Sequence, residues 1–233
     1  MERKSGCLIC GKNLTYLKNA ENRECYYCHE TFETLVTCTD KHFICDRCHS
    51  LPANDLIEQA CINSNLKDPL ELALILMREP VIKMHGPEHH FLVPAVLLAT
   101  YYNTKNESGK REEKIKEARR RSEKILGGFC GSHGICGAAV GNGIFISLIT
   151  NTTPLSEKEW RLSNQITAKT LLAIANQGGP RCCKRGSFIS IIYAVDFLRK
   201  HLGVFLIINQ EFFCEFSEFN KECKTTDCRF YRG

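Results

Sequence analysis

The sequence has no apolar run long enough to cross a membrane. Its most apolar stretch, residues 135–150, falls short of the ~20 residues that a spanning helix needs, and it contains Asn142. Nothing reads as a secretory leader, because Met1-Glu2-Arg3-Lys4-Ser5-Gly6 runs straight into Cys7. The expectation is a cytoplasmic protein with no membrane partner. Charge is extreme in neither direction: the net +5 over 233 residues is a weak hint of anionic partners that many soluble enzymes share. No glycine motif follows a strand. Gly141-Asn142-Gly143 lies inside an apolar helix, which argues against a nucleotide-binding methyltransferase. Large aliphatics are scarce in the first fifty residues, so that segment cannot build much of a core.

What the chain has in excess is cysteine, fifteen in all. A cytoplasmic chain keeps few structural disulfides, and the odd count leaves at least one thiol outside any all-disulfide scheme. Metal ligation is therefore the better reading. The remaining composition is that of an ordinary globular protein.

Residues 1–50 read as a small zinc-ribbon-like module of knuckle and β type. Cys7-x-x-Cys10 and Cys25-x-x-Cys28 are fourteen residues apart, and Cys38, His42, Cys45 and Cys48 follow. Each C-x-x-C sets two sulfurs on one knuckle, and two knuckles close a tetrahedral site. Eight ligands make two zinc sites, and zinc binding would supply the folding energy. Sequential pairing of the ligands is the default expectation; an interleaved cross-brace uses the same eight residues. A redox role for C-x-x-C is disfavoured because no βαβ pattern surrounds it.

Residues 51–208 read as a mostly α-helical core domain. A helix starts near Ala53 and reaches Cys61, whose thiol reads as buried and inert. Asp68 as N-cap with Pro69 at N1 starts another, ending by Glu79-Pro80. His85, Glu88 and His89 formally match H-x-x-E-H, but Gly86-Pro87 breaks the continuous helix that a zinc peptidase needs. These residues, with His90, are instead candidates for a substrate site. Residues 108–126 form a helix rich in both charges, a solvated face or else a patch for RNA. Ser156-x-x-Glu159 reads as a capping box opening a helix that runs to Asn176. Residues 183–202 form an apolar helix ended by Gly203, and residues 204–208 suggest a short strand. The tail, residues 209–233, contributes a third cysteine cluster: Cys214, Cys223 and Cys228, which needs a fourth partner or leaves a coordination position open.

Two glycine-rich turns carry the remaining cysteines: Cys130 and Cys136 in one, Cys182 and Cys183 in the other. Each is expected to open a long apolar helix, where N–H groups and the dipole favour a thiolate. His133 sits within the first turn.

From residue 94 to 202 the order of motifs resembles the catalytic alpha domain of iron–sulfur L-serine dehydratases and the related cysteine desulfidases. The carriers are Pro94-Ala95-Val96-Leu97 with Tyr101-Tyr102, Gly128-Phe129-Cys130, Thr153-Pro154-Leu155, and Pro180-Arg181-Cys182-Cys183-Lys184-Arg185-Gly186. The whole chain also looks like a prokaryotic cysteine-rich family of unknown function. The dehydratase resemblance implies a helical fold and a [4Fe–4S] cluster held by three cysteines, with one iron open as a Lewis acid. Cys130 and Cys182 match two ligand positions. The third falls to Cys136, Cys183 or a tail cysteine, because residues 173–176 hold none. The expectation is a metal-dependent lyase or sulfur-handling enzyme. It would act on a small molecule bearing hydroxyl or sulfur, with His85, Glu88, His89 or His133 moving protons. The alternative is a zinc-stabilised module that binds RNA or protein without catalysis.

Overall fold

The computed structural model describes residues 6–7, 9–209 and 211–232. It is mostly helical, with one two-stranded antiparallel sheet near the N-terminus. The chain divides into two compact units, Met1–Leu51 and Pro52–Gly233.

The first unit is a hairpin of β1 (Leu14–Glu24) and β2 (Thr31–Cys38). Leu14 pairs with Cys38 at one end and Glu24 with Thr31 at the other, and residues 17–20 bulge opposite Leu35. The hairpin buries almost nothing apolar: Leu14, Tyr16 and Leu35 are exposed. The buried hydrophobic residues described in this unit are four cysteines, Cys7, Cys25, Cys38 and Cys45. Sulfur takes the place of a core.

Helix α1 (Asp46–Asn63) begins seven residues earlier than the periodicity from Ala53 suggests, and it runs through Pro52. In the second unit, α2 (Pro69–Arg78) is capped as expected. Asp68 Oδ1 accepts from Leu70 N and Glu71 N, and its Oδ2 accepts from Asn209 N at 2.7 Å. Asp68→Ala is expected to cost about 1–2 kcal/mol, the upper part of the N-cap range, because the same carboxylate also ties down the chain at Asn209. That corresponds to a melting point lower by roughly 2–8 °C for a domain of this size, readable by circular dichroism.

Helix α3 (Glu88–Lys105) is the axis of the unit. Phe91, Leu92, Val93 and residues 95–99 are all buried, so the helix is apolar all round and must be covered on every side. It is covered by α2, α4 (Ser108–Ser122), α6 (Gly137–Thr150) and α8 (Cys183–Leu202). Helix α6 lies between α3 and α7 (Lys158–Ala175), and its small residues explain how. A Cβ at Gly137 would collide with the His90 ring, and one at Gly141 would stand 2.8 Å from Pro94 Cδ. Gly143 faces Thr167 on α7 instead. Asn142, fully buried, donates to Thr170 Oγ1 and to the Ser190 carbonyl, joining α6, α7 and α8.

Three local expectations are corrected. Ser156 does not cap α7: its hydroxyl accepts from Thr153 N, so it closes the preceding turn, and the helix starts at Lys158. Residues 204–208 are not a strand. Leu206 is buried while Phe205 and Ile207 face solvent, the alternation of a strand, but no neighbouring strand offers a ladder among the described residues. The first glycine–cysteine turn does not lead from Cys130 into the apolar helix. Cys130 sits in the one-turn helix α5 (Phe129–Ser132), and the N-cap of α6 is Cys136.

The charged helix α4 spends much of its charge internally. Arg119 binds Asp55, Glu58 and Glu123, and Arg111 caps the end of α1 through the carbonyls of Ser64 and Ile62. Lys116 pairs with Glu112, and Arg121 with Glu117. No helix of the described residues is long and apolar enough to cross a membrane.

Candidate metal centres

Two groups of ligands in the first unit are arranged for metal. Cys7, Cys10, Cys38 and His42 form one, and Cys25, Cys28, Cys45 and Cys48 the other. Within each, all ligand atoms lie within 4.8 Å of one another. With Zn–S near 2.3 Å, a tetrahedral zinc places neighbouring sulfurs about 3.8 Å apart and a sulfur and nitrogen about 3.5 Å apart. The observed separations are 3.9 Å for Cys10 to Cys38, 3.8 Å for Cys28 to Cys45 and 3.5 Å for Cys38 Sγ to His42 Nδ1. The donor set and the spacing both fit a tetrahedral thiophilic ion.

The pairing is interleaved, not sequential. The hairpin is the cause: β1 leads from the first knuckle to the second, and β2 returns antiparallel, delivering Cys38 opposite Leu14 beside the first knuckle. The chain then crosses back, with Tyr26 N donating to Phe43 O and Cys45 N to Cys25 Sγ.

The two knuckles share one backbone design. Gly11 N donates to Cys7 O and His29 N to Cys25 O; Cys7 N donates to Lys12 O and Cys25 N to Glu30 O. The residue after the second cysteine is left-handed in both, Gly11 at φ +73° and His29 at +58°. Burial raises the Cys25 thiol pKa, but N–H groups of Cys28, Cys45 and Tyr27 aimed at its sulfur bring it down to about 6. Such N–H bonds hold the thiolate form that a metal requires.

In the second unit the candidate residues separate into groups. Cys130 is exposed, and His133 beside it bonds Ser132 Oγ and lies against Phe129. Cys136 and Cys182 are the N-caps of α6 and α8. Neither is acidified by its helix end. Burial outweighs the N–H groups of Ala139 and Arg185, and both pKa values are raised. Cys183 is pushed up to about 12 by burial, against the pull of the Gly86 N–H. Cys61 is likewise buried and raised, as an inert core thiol should be.

Cys182 faces the tail. Cys182, Cys214, Cys223 and Cys228 all line one cavity of about 20 Å³, above the roughly 10–15 Å³ that one trapped water needs. Burial raises Cys214 to about 11, and the charges of Cys182, Cys228 and Cys223 add to the shift. The tail is anchored by mutual ring contacts of Phe188, Phe212 and Phe230, and by Lys184, whose Nζ lies 4.2 Å over the Phe216 ring and donates to Met77 O.

The histidine segment divides too. Pro87 precedes α3, so His85 lies outside the helix that contains Glu88 and His89. His89 is fully buried, with Nε2 3.0 Å from Lys83 O and Nδ1 3.2 Å from Ser187 Oγ; burial holds its pKa well below the ordinary value. Glu88 is fully buried, accepts from Lys83 N, and has its pKa raised by burial. His90 Nδ1 bonds Ile125 O. His85 Nε2 is 3.1 Å from Asn220 Oδ1 and 3.4 Å from Glu222 Oε2, two residues that line the Cys182 cavity. Its Nδ1 has no hydrogen-bond partner among the described residues. Asn220, which nothing in the sequence singles out, thus links the histidine segment to the tail cysteines. Its asparagine-in-a-loop setting carries no signal readable without the fold.

These features define a cysteine-rich helical protein with two metal-type tetrads at its N-terminus. Residues 57–231 match the family described as "Family of unknown function (DUF5714)", and the chain belongs to that family. The match takes in Cys130, Cys136, Cys182, Cys183 and the three tail cysteines, and leaves the eight tetrad ligands outside. No curated protein and no solved structure is significantly similar to the chain.

Proposed function

We propose that this chain is a two-part metalloenzyme. The N-terminal unit is folded by two zinc ions. The helical unit carries an iron–sulfur centre at the start of α8, for lyase or sulfur-handling chemistry on a small hydroxyl- or sulfur-bearing substrate. The observation that supports it best is the cavity at Cys182, lined by four thiols and by Asn220 and Glu222, the two residues that the partly buried His85 contacts. An iron–sulfur group bound there would supply soft-metal or redox chemistry.

Among the histidines, His85 is the one suited to move a proton. His89 is fully buried with a contact at each ring nitrogen, whereas His85 donates from Nε2 to Asn220 Oδ1 and keeps the Nδ1 lone pair. Burial and the charge of Arg181 lower its pKa, so the ring is neutral and basic at neutral pH.

Metal and acid-labile sulfide analysis of anaerobically purified full-length protein tests the reading. The expected result is brown protein with about two zinc ions and, per chain, about four irons and four sulfides. Colourless protein containing zinc alone rejects the iron–sulfur half. The second reading, an RNA-binding module without catalysis, is favoured less because the α4 cations are largely matched by acids on the same and neighbouring helices.

A further inference from the structure

We infer that Cys182, Cys214, Cys223 and Cys228 together ligate one iron–sulfur cluster that fastens the tail to the start of α8. This names the ligands of the centre proposed above and rests on that reading. The four cysteines come from the start of α8 and from three points along the tail, and all line the same cavity. In a chain whose thiols are all free, an apolar setting gives four sulfurs no reason to converge unless they share a ligand.

Three of the four sulfurs receive a backbone N–H. Arg185 N donates to Cys182 Sγ, Phe216 N to Cys214 Sγ and Thr225 N to Cys223 Sγ, each at 3.4 Å. The N-terminal tetrads use the same device, with His42 N on Cys38 Sγ and Cys48 N on Cys45 Sγ. Arg185 and Lys224 also line the cavity and would balance an anionic centre.

Spacing separates a cluster from a single ion. Among the described residues, only the two N-terminal tetrads bring their ligand atoms all within 4.8 Å. The four sulfurs here do not all lie within 4.8 Å of one another, a spread too wide for one ion and compatible with a multi-iron core. The tail itself calls for such a cross-link, since it has only two short 3-10 turns of regular structure. A centre closed by four thiolates leaves no iron position for a substrate oxygen. Within the proposed function this argues against chemistry at an open iron, for an oxygen or a sulfur substrate alike, and gives the cluster redox or structural work.

The test is full-length protein purified anaerobically as wild type, Cys214→Ser, Cys223→Ser, Cys130→Ser and Cys183→Ser. Iron, sulfide, visible absorption and the paramagnetic signal after reduction are read for each. Cys214→Ser and Cys223→Ser are expected to lose most of the iron and sulfide, and the other two to keep them. Cys223, unlike Cys214, is not packed against the hydrophobic core, so its variant carries the test if Cys214→Ser fails to fold. Full iron in both tail variants, or iron lost in Cys130→Ser, overturns the ligand set and leaves the iron–sulfur reading standing. A wild type with a third zinc and no iron overturns both.

Discussion

Protein stripped of its tetrad metals is expected to lose the fold of residues 6–51 while the helical unit keeps its far-ultraviolet helix signal. The reason is what the first unit buries. Among its described residues the buried hydrophobic ones are Cys7, Cys25, Cys38 and Cys45, and its hairpin leaves Leu14, Tyr16 and Leu35 in solvent. A structural zinc site of this kind is worth about 10–16 kcal/mol at neutral pH, far more than an isolated two-stranded hairpin can supply. Chelation should therefore expose β1 and β2 to rapid amide exchange and to proteolysis. Unchanged protection of the hairpin after complete metal removal would contradict this. The interleaved pairing gives a sharper result with cobalt in place of zinc. In Cys7→Ser the intact site is Cys25, Cys28, Cys45 and Cys48, so the surviving cobalt spectrum should be that of four sulfurs. Sequential pairing would instead leave His42 in the intact site and a nitrogen in the spectrum.

Gly141→Val should clearly destabilise the helical unit. A Cβ there would lie 2.8 Å from Pro94 Cδ and 3.1 Å from the His90 carbonyl oxygen. Neither neighbour can swing aside, because one is a proline ring on the central helix and the other is its backbone. The helices must separate, and a gap along buried α3 forfeits packing over its length. Overpacking of this kind costs about 1–3 kcal/mol or more. The expected melting point is lower by roughly 2–12 °C for a domain of this size, with some loss of soluble yield. Gly128→Ala is a useful contrast. Its backbone is left-handed, but nothing stands within 4 Å of the added Cβ, so its cost is local strain alone. Equal melting points for Gly141→Val and wild type would mean that α3 and α6 do not meet at this glycine.

Much of the helical architecture was legible before any coordinates. Asp68-Pro69 marked the start of α2 because the cap and the ring act through neighbours two or three residues away. The small-residue run at Gly137 and Gly141 marked close packing, and Gly203 marked the end of α8. Ser156 misled because its hydroxyl had two local partners to choose from, and the turn before it won. Residues 204–208 alternate as a strand does, but a ladder needs a second strand, and sequence periodicity says nothing about that.

The metal ligands divide along the same line. The eight N-terminal residues that could hold metal were legible in the sequence, since each C-x-x-C knuckle is closed by hydrogen bonds within six residues. Which knuckles share an ion did not, because that depends on where an antiparallel hairpin sets down Cys38. The same holds in the helical unit. Cys130, Cys136, Cys182 and Cys183 are conspicuous as glycine–cysteine turns, yet adjacent thiols point apart. Cys182 looks onto the tail, and Cys183 meets the Gly86 N–H. Spacing along the chain determined that these thiols were candidates. Only the packing of the tail against α8, through Phe188, Phe212 and Phe230, decided which four share a cavity. A ligand's chemistry is local to its residue; a coordination sphere is a meeting of distant residues, and the fold makes the appointment.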